Sequence, residues 1–429
     1  MDNKKSFAIG LAAGIVLAII VLFGYTVYDR QMRWSGQMPP NAKIQEIYNR
    51  LSEVSIFPFD KDIMMDYMYR GFLDGVGDPY TQYFDADALE AFRVRTSGEY
   101  VGIGVLVAEH PETGHVTVME PFRGSPAEIA GMLPGDKIVG VDGEDMEGRT
   151  LAEVIEQIQG REGTTVVVTV YRPAVSYLPS EDDDQTTEDD DQSTGDDNQP
   201  SEDEGYQPAE GKKLDIRVAR ATVTIPTVFH EMIQDQTGYI RIGGFDQATS
   251  EQFSTALEYV TNQGMKGLVL DVRNNPGGIL DVVAFIADHF VPEGVITFTV
   301  DANGRRQNFN ATAEYLGIPL VVLINGRSAS ASELLSGAIQ DTGVGVLVGE
   351  QTFGKGIVQH LYYLSDGTAI KATVAKYFTP NGTSIHGVGV APDFEVEMDD
   401  ELSFQIGRLD PGEDVQLEVA LQVLRGLTQ

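Results

Sequence analysis

The stretch from Ile318 to His360 constrains this chain more than any other. It opens with a continuous apolar run, Ile318-Pro319-Leu320-Val321-Val322-Leu323-Ile324. A run this short and unbroken predicts a strand buried on both faces. Asn325-Gly326-Arg327 turns the chain, and Ser328-Ala329-Ser330-Ala331-Ser332-Glu333 then opens a helical stretch through Leu334, Leu335, Ala338 and Ile339. A second apolar run, Val344 to Val348, leads to Thr352-Phe353-Gly354-Lys355-Gly356. Two strand ends thus deliver small polar residues on one side and a glycine-flanked lysine on the other. In an open α/β sheet both lie at the carboxyl ends of strands, where sites collect.

A serine hydroxyl is a weak nucleophile until a neighbouring base takes its proton. A lysine is that base only when apolar burial disfavours its ammonium form. Phe353, Ile357 and the flanking strands are the expected cover, and the glycines allow close backbone approach. A serine at a helix start also turns its own and the next N–H toward a reacting carbonyl, with the positive end of the helix dipole behind them. This is the Ser–Lys variant of triad logic. Taken singly, S-A-S-A-S reads as a helix N-cap run and Gly-Lys-Gly as a surface turn. In this order and context they point to a nucleophile and its base.

The segment resembles the active-site core of the carboxyl-terminal processing (tail-specific) proteases, Ser–Lys peptidases of the periplasm, envelope or thylakoid lumen. The family's S-A-S-A-S-E pattern matches Ser328 to Glu333, and its T-F-G-K-G-x-x-Q pattern matches Thr352 to Gln359. The resemblance implies Ser330 as nucleophile, Lys355 as base and Gln359 as the residue orienting that lysine. It also implies a supporting aspartate at Asp341, eleven residues past the serine, where a role in holding the helix end is the alternative. Upstream, Asp271-Val272-Arg273-Asn274-Asn275-Pro276-Gly277-Gly278 matches the family's D-x-R-N-N-P-G-G. There an N–H of Gly277 or Gly278 would complete an oxyanion hole with that of Ala331. Pro380-Asn381-Gly382-Thr383-Ser384-Ile385 and Gly389-Val390-Ala391-Pro392-Asp393 extend the match downstream.

Tyr100 to Arg172 turns to strand patterning, with a short helix at Ser125–Gly131 and an amphipathic one at Leu151–Ile158. This region resembles a PDZ domain of the circularly permuted bacterial kind. The resemblance implies that Tyr100-Val101-Gly102-Ile103 is a carboxylate-binding loop holding a peptide's C-terminus, the peptide adding as a strand beside the Leu151 helix. Many relatives carry an arginine just before the glycine that follows this helix, where this chain has Gln159.

Residues 41–95 read as helical, from the spacing of Ile44, Ile47, Tyr48 and Leu51 and of Met64, Met65, Met68 and Phe72. Gly77-Asp78-Pro79-Tyr80 interrupts them. The family's helical region carries a similar turn and often helps build a dimer, so this apolar face is expected to be core or dimer surface. The uncharged run Phe7 to Tyr28 follows Lys4 and Lys5. At 1.5 Å per residue it is about 33 Å of helix, enough to span a bilayer. Its end offers no small-x-small exit, so it reads as an uncleaved anchor with the bulk of the chain outside the cytoplasm.

The chain has 429 residues, no cysteine and a formal charge of −35. Disulfides and thiolate metal sites are excluded, and nucleic acid is disfavoured as a partner. Thirteen of the acidic residues lie between Ser180 and Glu204, a stretch with no basic residue and almost no apolar one. It reads as a solvated disordered loop rather than a calcium site, since it lacks the spaced D-x-[DN]-x-[DN]-G pattern. The six histidines show no metal spacing, and His360 is expected to pack rather than to act.

The expected architecture is α/β: a crotonase/ClpP-like protease core with an inserted α+β PDZ domain, an N-terminal helical region and an N-terminal transmembrane helix. Its parts are the stub and anchor at 1–30, the helical region at 41–95, PDZ at 96–178, the acidic insertion at 179–211, the protease core at 212–398 and a C-terminal helical segment at 399–429. The expected function is a membrane-anchored serine endopeptidase, single-pass with its catalytic part extracytoplasmic. It needs no cofactor or metal and acts on protein or peptide substrates with free C-termini. A homodimer and an activating adaptor are its implied partners. The alternatives are a catalytically inactive PDZ scaffold on a degenerate protease fold and an acyl-CoA enzyme of the crotonase type. The first is opposed by the presence of Ser330, Lys355 and Gln359, the second by the PDZ region and the anchor.

Overall fold

The computed structural model describes residues 40–110, 114–173, 211–312, 315–409 and 412–428. Among them no helix is long and apolar enough to cross a membrane. The apolar run Phe7–Tyr28 and the acidic stretch Glu181–Glu204 lie outside the described residues.

The chain divides into two compact units, one ending at Phe72 and one beginning at Leu73. The first holds α1 (Pro40–Val54) and α2 (Lys61–Asp74) as far as Phe72. Tyr48 meets Phe59 edge-on, with ring centroids 6.0 Å apart. Ile56, Phe57, Ile63, Tyr67 and Phe72 remain exposed.

In the second unit the helical pattern breaks at β1 (Gln82–Phe84), which pairs antiparallel with Ala369–Lys371, before α3 (Ala86–Ser97) resumes it. The reading of 41–95 as helical is corrected here. Three residues carry no usable periodicity, and the partner strand is remote in sequence.

The small domain follows: β2 (Glu99–Gly102), β3 (Val105–Glu109), β4 (Val116–Pro121), α4 (Pro126–Ile129), β5 (Lys137–Val141), β6 (Glu144–Asp145), α5 (Leu151–Ile158), β7 (Thr165–Arg172) and β8 (Lys212–Ala219). Its sheet runs β3-β4-β5-β7-β8, with β6 on β5. Alternate residues of β7, Val166, Val168 and Val170, face inward with Val118, Ile138, Val154 and Val218. Residue 212 is therefore not where the large domain begins. β8 pairs with β7 without interruption from Thr165↔Ala219 to Arg172↔Lys212, and its Ile216 and Val218 belong to the small core. The chain then leaves through β9 (Ala221–Thr224), which pairs antiparallel with β2. Entry and exit strands thus lie side by side, as an inserted domain requires.

The large domain comprises β10 (Val228–Ile233), β11 (Thr237–Ile242), α6 (Thr249–Asn262), β12 (Gly267–Asp271), α7 (Leu280–Asp288), β13 (Gly294–Asp301), β14 (Arg306–Ala311) and β15 (Leu320–Ile324). It continues through α8 (Ala331–Thr342), β16 (Val346–Gly349), β17 (Ile357–Tyr363), β18 (Ala369–Phe378), β19 (Phe394–Glu395), α9 (Asp400–Ser403) and α10 (Val415–Leu427). One sheet runs β10-β11-β12-β15-β16-β19, parallel from β11 onward. Its central strands β12 and β15 are buried throughout, and β15 is wholly apolar, because both faces are covered. Leu268, Leu270, Val322 and Ile324 pack with α6, α7 and α8, whereas Val269, Val321 and Leu323 pack with Ala420, Leu421 and Leu424 of α10. A second, antiparallel sheet runs β1-β18-β13-β14, with β17 on β18. Between the first sheet's carboxyl ends and this second sheet lie the matched motifs.

Candidate active site

β15 ends in the Asn325–Arg327 turn, and α8 begins immediately after Ser330. Ser330 is its N-cap, with φ 56° and ψ −111°, a conformation that costs a non-glycine residue on the order of 1–3 kcal/mol. The surroundings enforce it. Ser330 N–H donates to Glu333 Oε2 at 2.7 Å, Ala329 N–H to Asn275 O at 2.9 Å and Ser332 Oγ to the same carbonyl at 2.9 Å. Ser328 Oγ donates to Val272 O at 2.8 Å. The D-x-R-N-N-P-G-G loop is thus clamped to the helix start. Only 7% of Ser330 is exposed, and its hydroxyl lies near that of Tyr377, whose pKa burial pushes up to about 12.

Gly277 has φ 100°, and a Cβ there would lie 2.8 Å from Ser330 Cβ and 2.9 Å from Ala331 N. Its N–H donates to Asn275 Oδ1 at 2.9 Å and is therefore already engaged in this structure. The side-chain amide oxygen two residues back accepts it, a turn closure that the motif alone does not reveal. The N–H groups of Gly278 and Ala331 have no acceptor among the described residues. Gly278 has φ 156°, and a Cβ there would collide with the Phe245 carbonyl.

The lysine loop is fastened to this helix start by one carboxylate. Glu333 is fully buried and accepts from Ser330 N–H, from Thr352 Oγ1 at 2.6 Å, from Gly354 N–H at 2.7 Å and from Lys355 N–H at 2.8 Å. Ser330 and Lys355 are therefore held by their backbones to the same oxygen, Oε2, of a single side chain. Sequence reasoning placed Glu333 in the motif and gave it no task, because an acid in a helix's first turn has an ordinary reading. Burial holds Lys355 below the usual lysine range, against the opposing charges of Asp78 and Glu333. Its Nζ lies 5.0 Å from the centroid of the Tyr80 ring and has no hydrogen-bond acceptor among the described residues. Ile357 is buried, but Phe353 is 58% exposed, so the expected aromatic cover comes from Tyr80 instead.

Gln359 does not hydrogen-bond to Lys355. It sits beyond a bulge in β17, and its Nε2 donates to Tyr80 O at 2.7 Å. A strand carries a residue four places on too far along to fold back onto the first. Asp341 is at the far end of α8, where it accepts from Asn381 N–H at 2.9 Å; eleven residues of helix put it about 16 Å along the axis from Ser330. His360 is exposed and lies edge-on to Tyr362, with centroids 4.7 Å apart.

Beneath the site, Arg273 is wholly buried between Asp271 (2.6 Å) and Asp414 (2.8 Å). Tyr239 OH donates to Asp271 Oδ2 at 2.8 Å. This cluster joins the glycine loop to the start of α10.

In the small domain the loop Tyr100–Ile103 differs from expectation. Val101 and Gly102 lie in the β2–β9 ladder, opposite Thr222 and Ala221, and the Ile103 side chain is in the core. The backbone of Gly104 and Val105 lies near the Tyr100 hydroxyl, and burial raises the Tyr100 pKa. The Tyr100 ring covers Gly102, where a Cβ would strike it. β3 is an end strand of its sheet, with one edge unpaired by any described strand.

The model of Peptidase family S41 matches residues 236–396, and that of the PDZ domain matches 117–172. The chain is 34% identical over 354 residues to the carboxyl-terminal-processing protease of Synechocystis sp., covering 81% of this chain and 74% of that one. It is 31% identical over 419 residues to the carboxy-terminal processing protease CtpB of Bacillus subtilis, covering 94% and 79%. A solved structure of a Bacteroides fragilis protein assigned to the S41 proteases superposes with a TM-score of 0.51 at 18% identity, covering 88% of this chain and 94% of that one; it speaks for the fold alone. With a PDZ domain inserted ahead of an S41 core, the chain belongs to the carboxyl-terminal processing proteases, serine peptidases of family S41.

Proposed function

We propose that this protein cleaves peptide bonds through a Ser330–Lys355 dyad. Neutral Lys355 Nζ takes the Ser330 proton as Oγ attacks the scissile carbonyl carbon, and the N–H groups of Gly278 and Ala331 receive the oxyanion. The lysine ammonium then returns the proton to the departing amine. Water, deprotonated by the same lysine, hydrolyses the serine ester. One observation carries this reading: a buried serine in a strained helix-start conformation and a half-buried, acceptor-free lysine share the carboxylate of Glu333. Catalytic hydrogen bonds are often loose without substrate, so the Ser330–Tyr377 contact fits a resting state.

Substrate selection is assigned to the PDZ domain, with a peptide's free C-terminal carboxylate held by the N–H groups of Gly104 and Val105 and its strand added to β3. Phe7–Tyr28 is taken as a membrane anchor leaving both domains outside the cytoplasm. A homodimer through the exposed N-terminal apolar face, and an activating adaptor, complete the proposal.

A fluorophosphonate probe tests the chemistry. It is expected to label the wild-type chain and not Ser330→Ala, and Ser330→Ala is expected to cut no peptide. Equal labelling of both chains overturns the dyad. Extraction of the full chain from membranes by alkaline carbonate overturns the anchor.

A further inference from the structure

The turn Gly77–Thr81 lies in neither protease motif, yet it forms one wall of the lysine's surroundings. Tyr80 contributes its ring, 5.0 Å from Lys355 Nζ, and its carbonyl, which accepts from Gln359 Nε2. Asp78 is near enough for its charge to act on Lys355. The turn is stiff. Asp78 Oδ1 accepts from Tyr80 N–H at 3.1 Å and Oδ2 from Thr81 Oγ1 at 2.6 Å, while proline holds φ at the position between. Thr81 is buried and accepts from Thr373 N–H at 3.3 Å, and the next three residues pair with β18.

We propose that Asp78 and Tyr80 are positioning residues for peptide cleavage, which hold Lys355 and Gln359 in one arrangement and set how readily the lysine gives up its proton. The proposal rests on Lys355 being the base. The charged and titratable groups facing Lys355 are Asp78 from this turn, Glu333 from α8 and Lys371 from β18, with the Tyr80 ring over it and His386 across Asp78. Burial is the largest influence and favours the free amine, and the two carboxylates oppose it. Lys371 is itself held below the usual lysine range, by burial first and then by the charge of Lys355. The turn therefore acts in both directions: the Tyr80 ring excludes water from the amine, and the Asp78 carboxylate restrains its loss of a proton.

The two residues consequently predict opposite shifts. Asp78→Asn removes one of the two anions and keeps groups able to bond Tyr80 N–H and Thr81 Oγ1. The acidic limb of the kcat/KM profile is expected to move to lower pH. Tyr80→Ala admits water to the amine, so the limb is expected to move to higher pH, with kcat/KM lower by roughly 10–100-fold from misplacement of the base. Tyr80→Phe, which keeps ring and carbonyl, is expected to rescue most of that loss. A merely structural turn would lower activity without moving the limb in opposite directions.

The experiment is the pH profile of cleavage of an unstructured peptide by the full chain, with fluorophosphonate labelling rate measured in parallel. If the wild-type acidic limb vanishes in Lys355→Met but stays fixed in both Asp78→Asn and Tyr80→Ala, the turn has no such role and the dyad stands. If Lys355→Met retains the wild-type limb, the base assignment and the proposal built on it both fall. Should Asp78→Asn not fold, the Tyr80→Ala and Tyr80→Phe pair decides: an unmoved limb, or no rescue by phenylalanine, overturns the proposal.

Discussion

In the proposed dyad Ser330 and Lys355 act only together, and both are tied to Glu333, which accepts an N–H from each residue. Groups acting as one unit are non-additive. Ser330→Ala and Lys355→Ala are therefore each expected to abolish peptide cleavage, with the double variant no worse than either single one. A lysine variant that keeps substantial turnover would refute this. Lys355 also ties activity to pH. Its folded pKa is depressed by burial, so the unfolded chain binds the proton more readily. The destabilisation is complete below the folded pKa and absent above the unfolded value near 10.4. Activity should rise with pH through the folded pKa, and thermal stability should rise between the folded and unfolded values. Both trends are expected to disappear in Lys355→Met, as read by peptide turnover and by melting temperature across pH. The serine and the lysine were legible in sequence because short local patterns carry them. Tyr377 and Tyr80 were not: each reaches the site from a strand or turn distant along the chain.

Among the elements, the β2–β3 connection is the proposed entry for a peptide to the PDZ domain. Its N–H groups at Gly104 and Val105 lie near the Tyr100 hydroxyl. A carboxylate forms stronger, charge-assisted bonds with the same donors and would displace the phenol. Tyr100→Phe removes that competitor and keeps the ring against Gly102, so a peptide with a free C-terminus is expected to bind several-fold tighter by calorimetry. An amidated peptide should gain nothing from the change and should show a higher KM on the wild-type enzyme. Equal cleavage of free and amidated peptides by the wild-type protein would mean that the PDZ domain does not choose substrates by their carboxylate. The resemblance implied Tyr100–Ile103 as the loop, whereas the donors proposed here are Gly104 and Val105. Strand β9, which returns after the whole domain, pairs with β2 along Val101 and Gly102.

For the whole molecule, the buried Arg273 joins the glycine loop to α10 through Asp271 and Asp414. Removing one partner of such a cluster leaves buried charge uncompensated, at about 3–5 kcal/mol. Arg273→Met is expected to lose about that much in denaturant-unfolding stability, whereas Asp400→Ala, which ends an exposed pair with Arg327, should change it little. A mild effect of Arg273→Met would show that α10 is held by its apolar face alone. The sequence by itself determined the family, the α/β core, the inserted small domain and the two motifs that meet at Glu333. Apolar periodicity and short motifs express local chemistry, and local chemistry is written in neighbouring residues. Only the tertiary structure decided that Gln82–Phe84 is a strand, that the Gly277 N–H is already used and that Gln359 bonds Tyr80. Each of those depends on which distant segment supplies the partner for a hydrogen bond, and a backbone donor satisfies whichever acceptor folding brings within about 3 Å.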